Sequence, residues 1–185
     1  MKAISILIIL LLGSTAYGQE SQYEVAIRKQ YGMQADYSEM DPNSSEAAEL
    51  IVKHTYPPLI ELMGGEAQYI QLIRSAADME EEEEYEDDYE DEEEGPWTLK
   101  ESRVELGQIG EVYKSGNELQ AVVEIVETDV YGDRDEIYKR YQLAISRDGG
   151  EFWYFLDGTM DWDKIVPNLH EAIQQPDEKE ETVFK

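Results

Sequence analysis

His54, Tyr56 and Asp157 are side chains in this sequence with the chemistry to move a proton. An imidazole titrates near neutrality, and a phenol or a carboxylate can complete an acid–base pair. Only His54 and Tyr56 stand close together in the chain, just before Pro57-Pro58. His54 equally fits a hydrogen-bonded structural role, since it continues an apolar helix face made by Ala47, Leu50 and Ile51. His170 falls toward the end of a final helix, where its charge suits the dipole. No G-x-S-x-G, H-E-x-x-H, phosphate-loop or paired-glycine nucleotide pattern occurs. The absence of cysteine rules out thiol catalysis and zinc–thiolate sites. With no converging set visible, no catalytic residue is assigned and no cofactor is expected.

Two other groups could bind rather than react. Tyr138, Arg140, Gln142 and Trp153 fall on the less apolar face of a strand pair and could line a ligand pocket. The competing role for them is packing, under a C-terminal helix or against a second subunit across the sheet. Glu80 to Glu94 holds 13 acidic residues in 15, and Glu86, Asp87, Asp88 and Asp91 could take Ca²⁺ loosely and at high capacity. Nothing there has the spaced ligands and central glycine of an EF-hand. The bland alternative is a solvated, disordered insertion over 80–95.

The stretch that must position these groups is Ile137 to Gly158. Ile137, Tyr141, Leu143 and Ile145 alternate with Tyr138, Arg140, Gln142 and Ala144, and Phe152, Tyr154 and Leu156 alternate with Trp153 and Phe155. Period two of this kind predicts a β-hairpin turning at Gly149-Gly150, with Ile145 facing Tyr154 and Leu143 facing Leu156. Ser146-Arg147-Asp148-Gly149-Gly150-Glu151-Phe152-Trp153 resembles the Asp-box S-x-D-x-G-x-x-W, known from sialidase-like propellers as a repeated hairpin turn. Here it occurs once, so the resemblance implies a turn in which Ser146, Asp148 and Gly150 are structural, and no glycosidase.

The 185 residues suit one domain with appendages. Lys2, the apolar run from Ile4 to Leu12 and Ala16-Tyr17-Gly18 predict a signal peptide over 1–18, cleaved after Gly18. The expected location is the periplasm or the exterior, with no membrane association after cleavage. Loss of Lys2 would take the formal charge from −28 to −29, a field that repels nucleic acid and anionic bilayers. Without disulfides the domain must stand on its apolar core.

The remaining elements follow in order. A helical segment is expected over 19–43, in two pieces ended by Asp41-Pro42-Asn43. Helices over 44–79 follow, capped by Ser44 or Ser45 and broken at Tyr56-Pro57-Pro58 and Gly64-Gly65. Strands are expected over 97–113, 118–129, 137–146 and 151–157, then a helix through Trp162, Ile165, Leu169 and Ile173, within a unit spanning 96–175. The last ten residues, 176–185, read as a loose tail.

Helices followed by a four-stranded antiparallel meander give an α+β fold that resembles the cystatin-like or NTF2-like roll. YPPLIELMGG, GNELQAVV, SRDGGEFWYFLDG and IVPNL are similar to small exported bacterial proteins of uncharacterised function, over residues 45 to 175. The resemblance carries no catalytic residues across, and with no converging set of groups the expected function is an exported, non-enzymatic binding or interaction module for a small molecule or protein. Its alternatives are an NTF2-like enzyme using His54 and Tyr56 in a cavity, and Ca²⁺ binding by the acidic tract.

Overall fold

Leu119 to Val126 form the first two thirds of the longest ladder among the described residues. The computed structural model describes residues 21–38, 40–41, 44–83 and 98–185. Residues 1–18, expected to be a signal peptide, Pro42-Asn43, the acidic tract beyond residue 83 and Trp97 lie outside them.

Strand β3 (Glu118–Val130) pairs antiparallel with β4 (Arg134–Ser146) from Leu119↔Ser146 to Val130↔Asp135. Short β1 (Glu101–Ile109) and β2 (Tyr113–Ser115) share the far side of β3. Strands β5 (Tyr154–Asp157) and β6 (Lys179–Phe184) share the far side of β4. The sheet therefore has six strands, not four. The single first strand expected over 97–113 is two, because its register slips between Leu106 and Ile109 and the chain re-enters as β2.

Each face of one end of the sheet has its own core. Val122, Leu143, Ile145 and Leu156 pack with Tyr56 and Leu59, and with Trp162, Ile165, Val166 and Ile173. On the other face Ala121, Val123, Ile125, Ala144 and Trp153 pack with Ile27, flanked by Tyr23, Ala26 and Tyr31. Burying an aliphatic side chain of this size contributes about 1.5–3 kcal/mol.

The helices place those residues. Helix α1 (Gln22–Ser38) runs unbroken where two pieces were expected. Tyr23, Ile27 and Tyr31 form one face of it against the sheet, and Tyr31 meets Phe155 edge-on at 5.7 Å, so docking carries the helix through Gly32. Helix α2 (Ser45–His54) is capped by Ser44, whose hydroxyl accepts from Ala47 N at 3.1 Å. Helix α3 (Pro57–Leu62) and helix α4 (Glu66–Glu83) follow, α3 with proline in its first turn. The acidic run thus begins inside α4.

Two expectations about the C-terminal part are corrected. Helix α5 spans only Trp162–Ile165. Pro167 has no N–H and restricts Val166, so the chain continues irregularly, still delivering Ile173 to the core. The tail is not loose: residues 179–184 pair with β4, and Lys185 fixes their end with its N–H on Asp133 O at 3.0 Å. The charged tail needs no apolar face to do this, because β4 offers an open edge to its backbone.

Candidate functional site

Beyond the two cores the β3–β4 ladder continues. None of residues 126–139 is fully buried, and neither core cluster reaches residues 127–139. On one face an open groove of about 490 Å³ lies over Glu127, Asp129, Tyr138 and Arg140, walled by residues 178–180. On the opposite face a second, of about 470 Å³, lies over Glu124, Ile137 and Tyr141, walled by Lys179 and Glu181. The strand alternation that separates core faces thus makes two grooves from one ribbon.

Tyr138 and Arg140 come together in the first groove. Tyr138 donates to Glu136 at 2.9 Å. That bond first, then burial and the charges of Glu136 and Glu180, push the phenol pKa up to about 12. Arg140 donates to Glu127 at 2.6 Å and its charge reaches Tyr31 of α1. Glu136 also accepts from Arg134 Nε at 2.7 Å, and Lys139 faces Glu124 at 3.7 Å. The first groove is therefore lined by charge, with Arg140 and Lys179 set among Glu127, Asp129, Glu178 and Glu180.

The other two residues of the expected binding set lie elsewhere. Trp153 is 1% exposed, edge-on to Tyr23 at 6.2 Å, and its indole donates to Gly150 O at 3.1 Å. It is a core residue. Gln142 shares the strand face of Tyr138 and Arg140 but lies opposite Val123 and Asp157, half-buried, with an Oε1 that is buried and accepts no bond.

The proton-transfer set is not assembled. His54 Nδ1 lies 3.1 Å from Nε2 of buried Gln30, and its ring packs on Phe152 at 5.0 Å. Burial first, then the charge of Lys53, lowers its pKa. Tyr56 is fully buried, packs on Tyr154 at 5.9 Å, and donates to Glu118 Oε1 at 2.8 Å. Burial first, then the bond and charge of Glu118, raise its pKa far above the ordinary phenol value. Asp157 Oδ1 accepts from the N–H and hydroxyl of Thr159, at 2.8 and 2.7 Å, and so fastens the turn after β5. None of the three lines either groove.

One hydrogen-bond network and one wall of the groove have no counterpart in the sequence reading. Gln120, fully buried in β3, donates to Asn168 O at 3.0 Å and accepts from His170 N at 2.9 Å, which pins the irregular segment to the sheet. His170 lies in a turn rather than a helix and stacks on Tyr113 at 4.7 Å. A glutamine inside an otherwise apolar run was the available signal. The groove wall made by residues 178–180 had no signal, since it belongs to the tail.

At the hairpin turn, Asp148 Oδ1 accepts from Ser146 Oγ at 2.8 Å, Glu151 N at 3.1 Å and Phe152 N at 3.0 Å. Ser146 Oγ in turn accepts from Gly150 N at 2.8 Å. Seven residues, 147–153, thus separate β4 from β5 rather than two, yet the ladder pairs Ile145 with Tyr154 and Leu143 with Leu156.

Glu86, Asp87, Asp88 and Asp91 lie outside the described residues. Among the described residues no group of three or more His, Asp or Glu side chains could hold a metal ion. No described helix is long and apolar enough to cross a membrane. Comparison with protein-family models, curated proteins and solved structures finds no match to this chain.

Proposed function

We propose that this chain is an exported, non-enzymatic binding module that takes a small molecule or a protein segment on the distal half of its sheet. The observation that supports this most directly is the open groove of about 490 Å³ in which Tyr138 and Arg140 stand on an uncovered strand face. A phenol and a guanidinium on a rigid strand give orientation and polar recognition together. The dispersal of His54, Tyr56 and Asp157 into separate structural contacts weighs against the enzymatic alternative. Export rests on the leader-like residues 1–18, and the helices-before-sheet order supports a cystatin-like or NTF2-like origin for the fold.

Thermal-shift profiling tests the groove, because a ligand that binds only the folded state raises the melting temperature. Wild type and the double variant Tyr138→Ala/Arg140→Ala would be screened against one library of metabolites and peptides. Ligands that stabilise wild type alone are expected. If every stabilising ligand acts equally on the variant, the groove is not the site.

A further inference from the structure

We propose that the outer edge of β6 is a strand-addition site for an extended segment of a partner polypeptide, apolar at its first positions and basic at its later ones. The proposal rests on the distal sheet being the binding region and names the kind of partner it would take.

The two edges of this sheet are treated differently. The β1 edge is interrupted by its bulge, and Arg28 of α1 covers part of it by donating to Leu106 O at 3.0 Å and Gly107 O at 3.2 Å. Bulges and covering side chains are ordinary ways of stopping a sheet from growing. Among the described residues the β6 edge has neither. Its register is regular from Arg134↔Phe184 to Lys139↔Lys179, all six residues are exposed, and among the described residues no strand pairs with its other side. It also ends in two apolar side chains open to water, Val183 at 42% and Phe184 at 76%.

Side-chain order on β6 specifies what could lie against it. Glu180, Thr182 and Phe184 share the face of Tyr138, while Lys179, Glu181 and Val183 share that of Ile137. An antiparallel partner strand would set its residues beside these in reverse order. Read from its own N-terminus, it wants two apolar residues beside Phe184 and Val183, a small residue beside Thr182, and two cations beside Glu181 and Glu180. Backbone bonds would supply affinity and the alternate side chains selectivity, as in other strand additions. A second copy is a poorer occupant. It would bring its own Glu180 and Glu181 and a formal charge of −28 to the same edge.

Fluorescence anisotropy with a labelled peptide containing Val-Ile-Thr-Lys-Lys tests the proposal on the full chain. Two further peptides carry N-methyl groups on alternate amides, one set per strand edge, which removes donors while keeping charge. One methylated isomer should bind at least about tenfold more weakly than the parent and the other should match it. Glu180→Lys/Glu181→Lys should weaken the parent at least about tenfold while leaving the melting temperature unchanged, since the altered groups are exposed. No binding by wild type, equal binding by all three peptides, or an unaffected variant would each overturn the proposal. So would sedimentation of the free protein as a dimer that this variant abolishes. The groove reading has its own readout in Tyr138→Ala/Arg140→Ala and survives a negative result here.

Discussion

The Tyr56 phenol donates to the Glu118 carboxylate across 2.8 Å, joining the break between α2 and α3 to the first residue of β3. The ring is fully buried while the carboxylate also faces Arg147 at 3.5 Å. The bond links the α2–α3 break to the sheet, beside the apolar packing of Tyr56 and Leu59. Tyr56→Phe keeps the packing and removes one charge-assisted bond, so it should cost about 1.5–3 kcal/mol in urea unfolding. Tyr56→Ala also opens a cavity and should cost about 3–5 kcal/mol, by analogy with other large aromatic truncations. Unchanged stability in Tyr56→Phe would return Tyr56 to the pool of functional candidates.

Asp148 is held by the turn it organises. Burial is the largest single influence on it and opposes ionisation. Bonds from Phe152 N, Ser146 Oγ and Glu151 N together outweigh that and hold its pKa below the ordinary aspartate value. A folded pKa below the unfolded one contributes stability above the unfolded value, near 3.9, that is lost as pH falls through the folded one. Asp148→Asn should therefore destabilise by about 1–3 kcal/mol at neutral pH, and its deficit against wild type should shrink below roughly pH 4. A deficit independent of pH would mean that shape, not charge, holds the turn.

His54 carries the complementary dependence, at higher pH. Its folded pKa is lowered, so the unfolded chain takes up the proton first as pH falls below about 6.5. The contribution of neutral His54 is present above that value and is lost on descending through the folded pKa. Melting temperatures of wild type should fall from pH 7 to pH 5 more steeply than those of His54→Gln. Parallel curves would place the titration elsewhere.

The C-terminal strand shows where the sequence stops being legible. The 145–154 register was readable because apolar alternation flanks Asp148-Gly149-Gly150, so both the pattern and the turn chemistry agree on it. Residues 179–184, KEETVF, carry no such agreement: all are exposed, and what recruits them is the open edge of β4, a property of another segment. For the same reason half of the groove wall could not be foreseen. Alternation puts Trp153 on the same sheet face as Tyr138, but it does not say that α1 covers that end of the face. Leu169 and Ile173 have helical spacing and do reach the core, by an irregular path that Pro167 dictates. Deleting residues 179–185 should accordingly leave the fold intact, with a loss of about 2 kcal/mol or less because no buried side chain is removed. It should also expose the edge of β4 and promote self-association. Global unfolding of the truncated chain, read by circular dichroism, would show instead that β6 belongs to the cooperative core.

Gly149 and Gly150 separate two costs that usually arrive together. Both have positive φ, +87° and +102°, so a side chain at either is strained by about 1 kcal/mol or more. At Gly149 an added Cβ meets nothing within 4 Å, whereas at Gly150 it would come to 2.6 Å from the Tyr23 ring. That ring is the edge-on partner of Trp153, so the clash passes into the contact between α1 and the sheet. Gly149→Ala should therefore lose only the backbone penalty, while Gly150→Ala should lose a further 1–3 kcal/mol or so from overpacking. Pairing Gly150→Ala with Tyr23→Ala should recover part of that second loss in a double-mutant cycle. Equal penalties at the two glycines would mean that α1 does not rest on the hairpin turn, and the core beneath Ile27 would have to be redrawn.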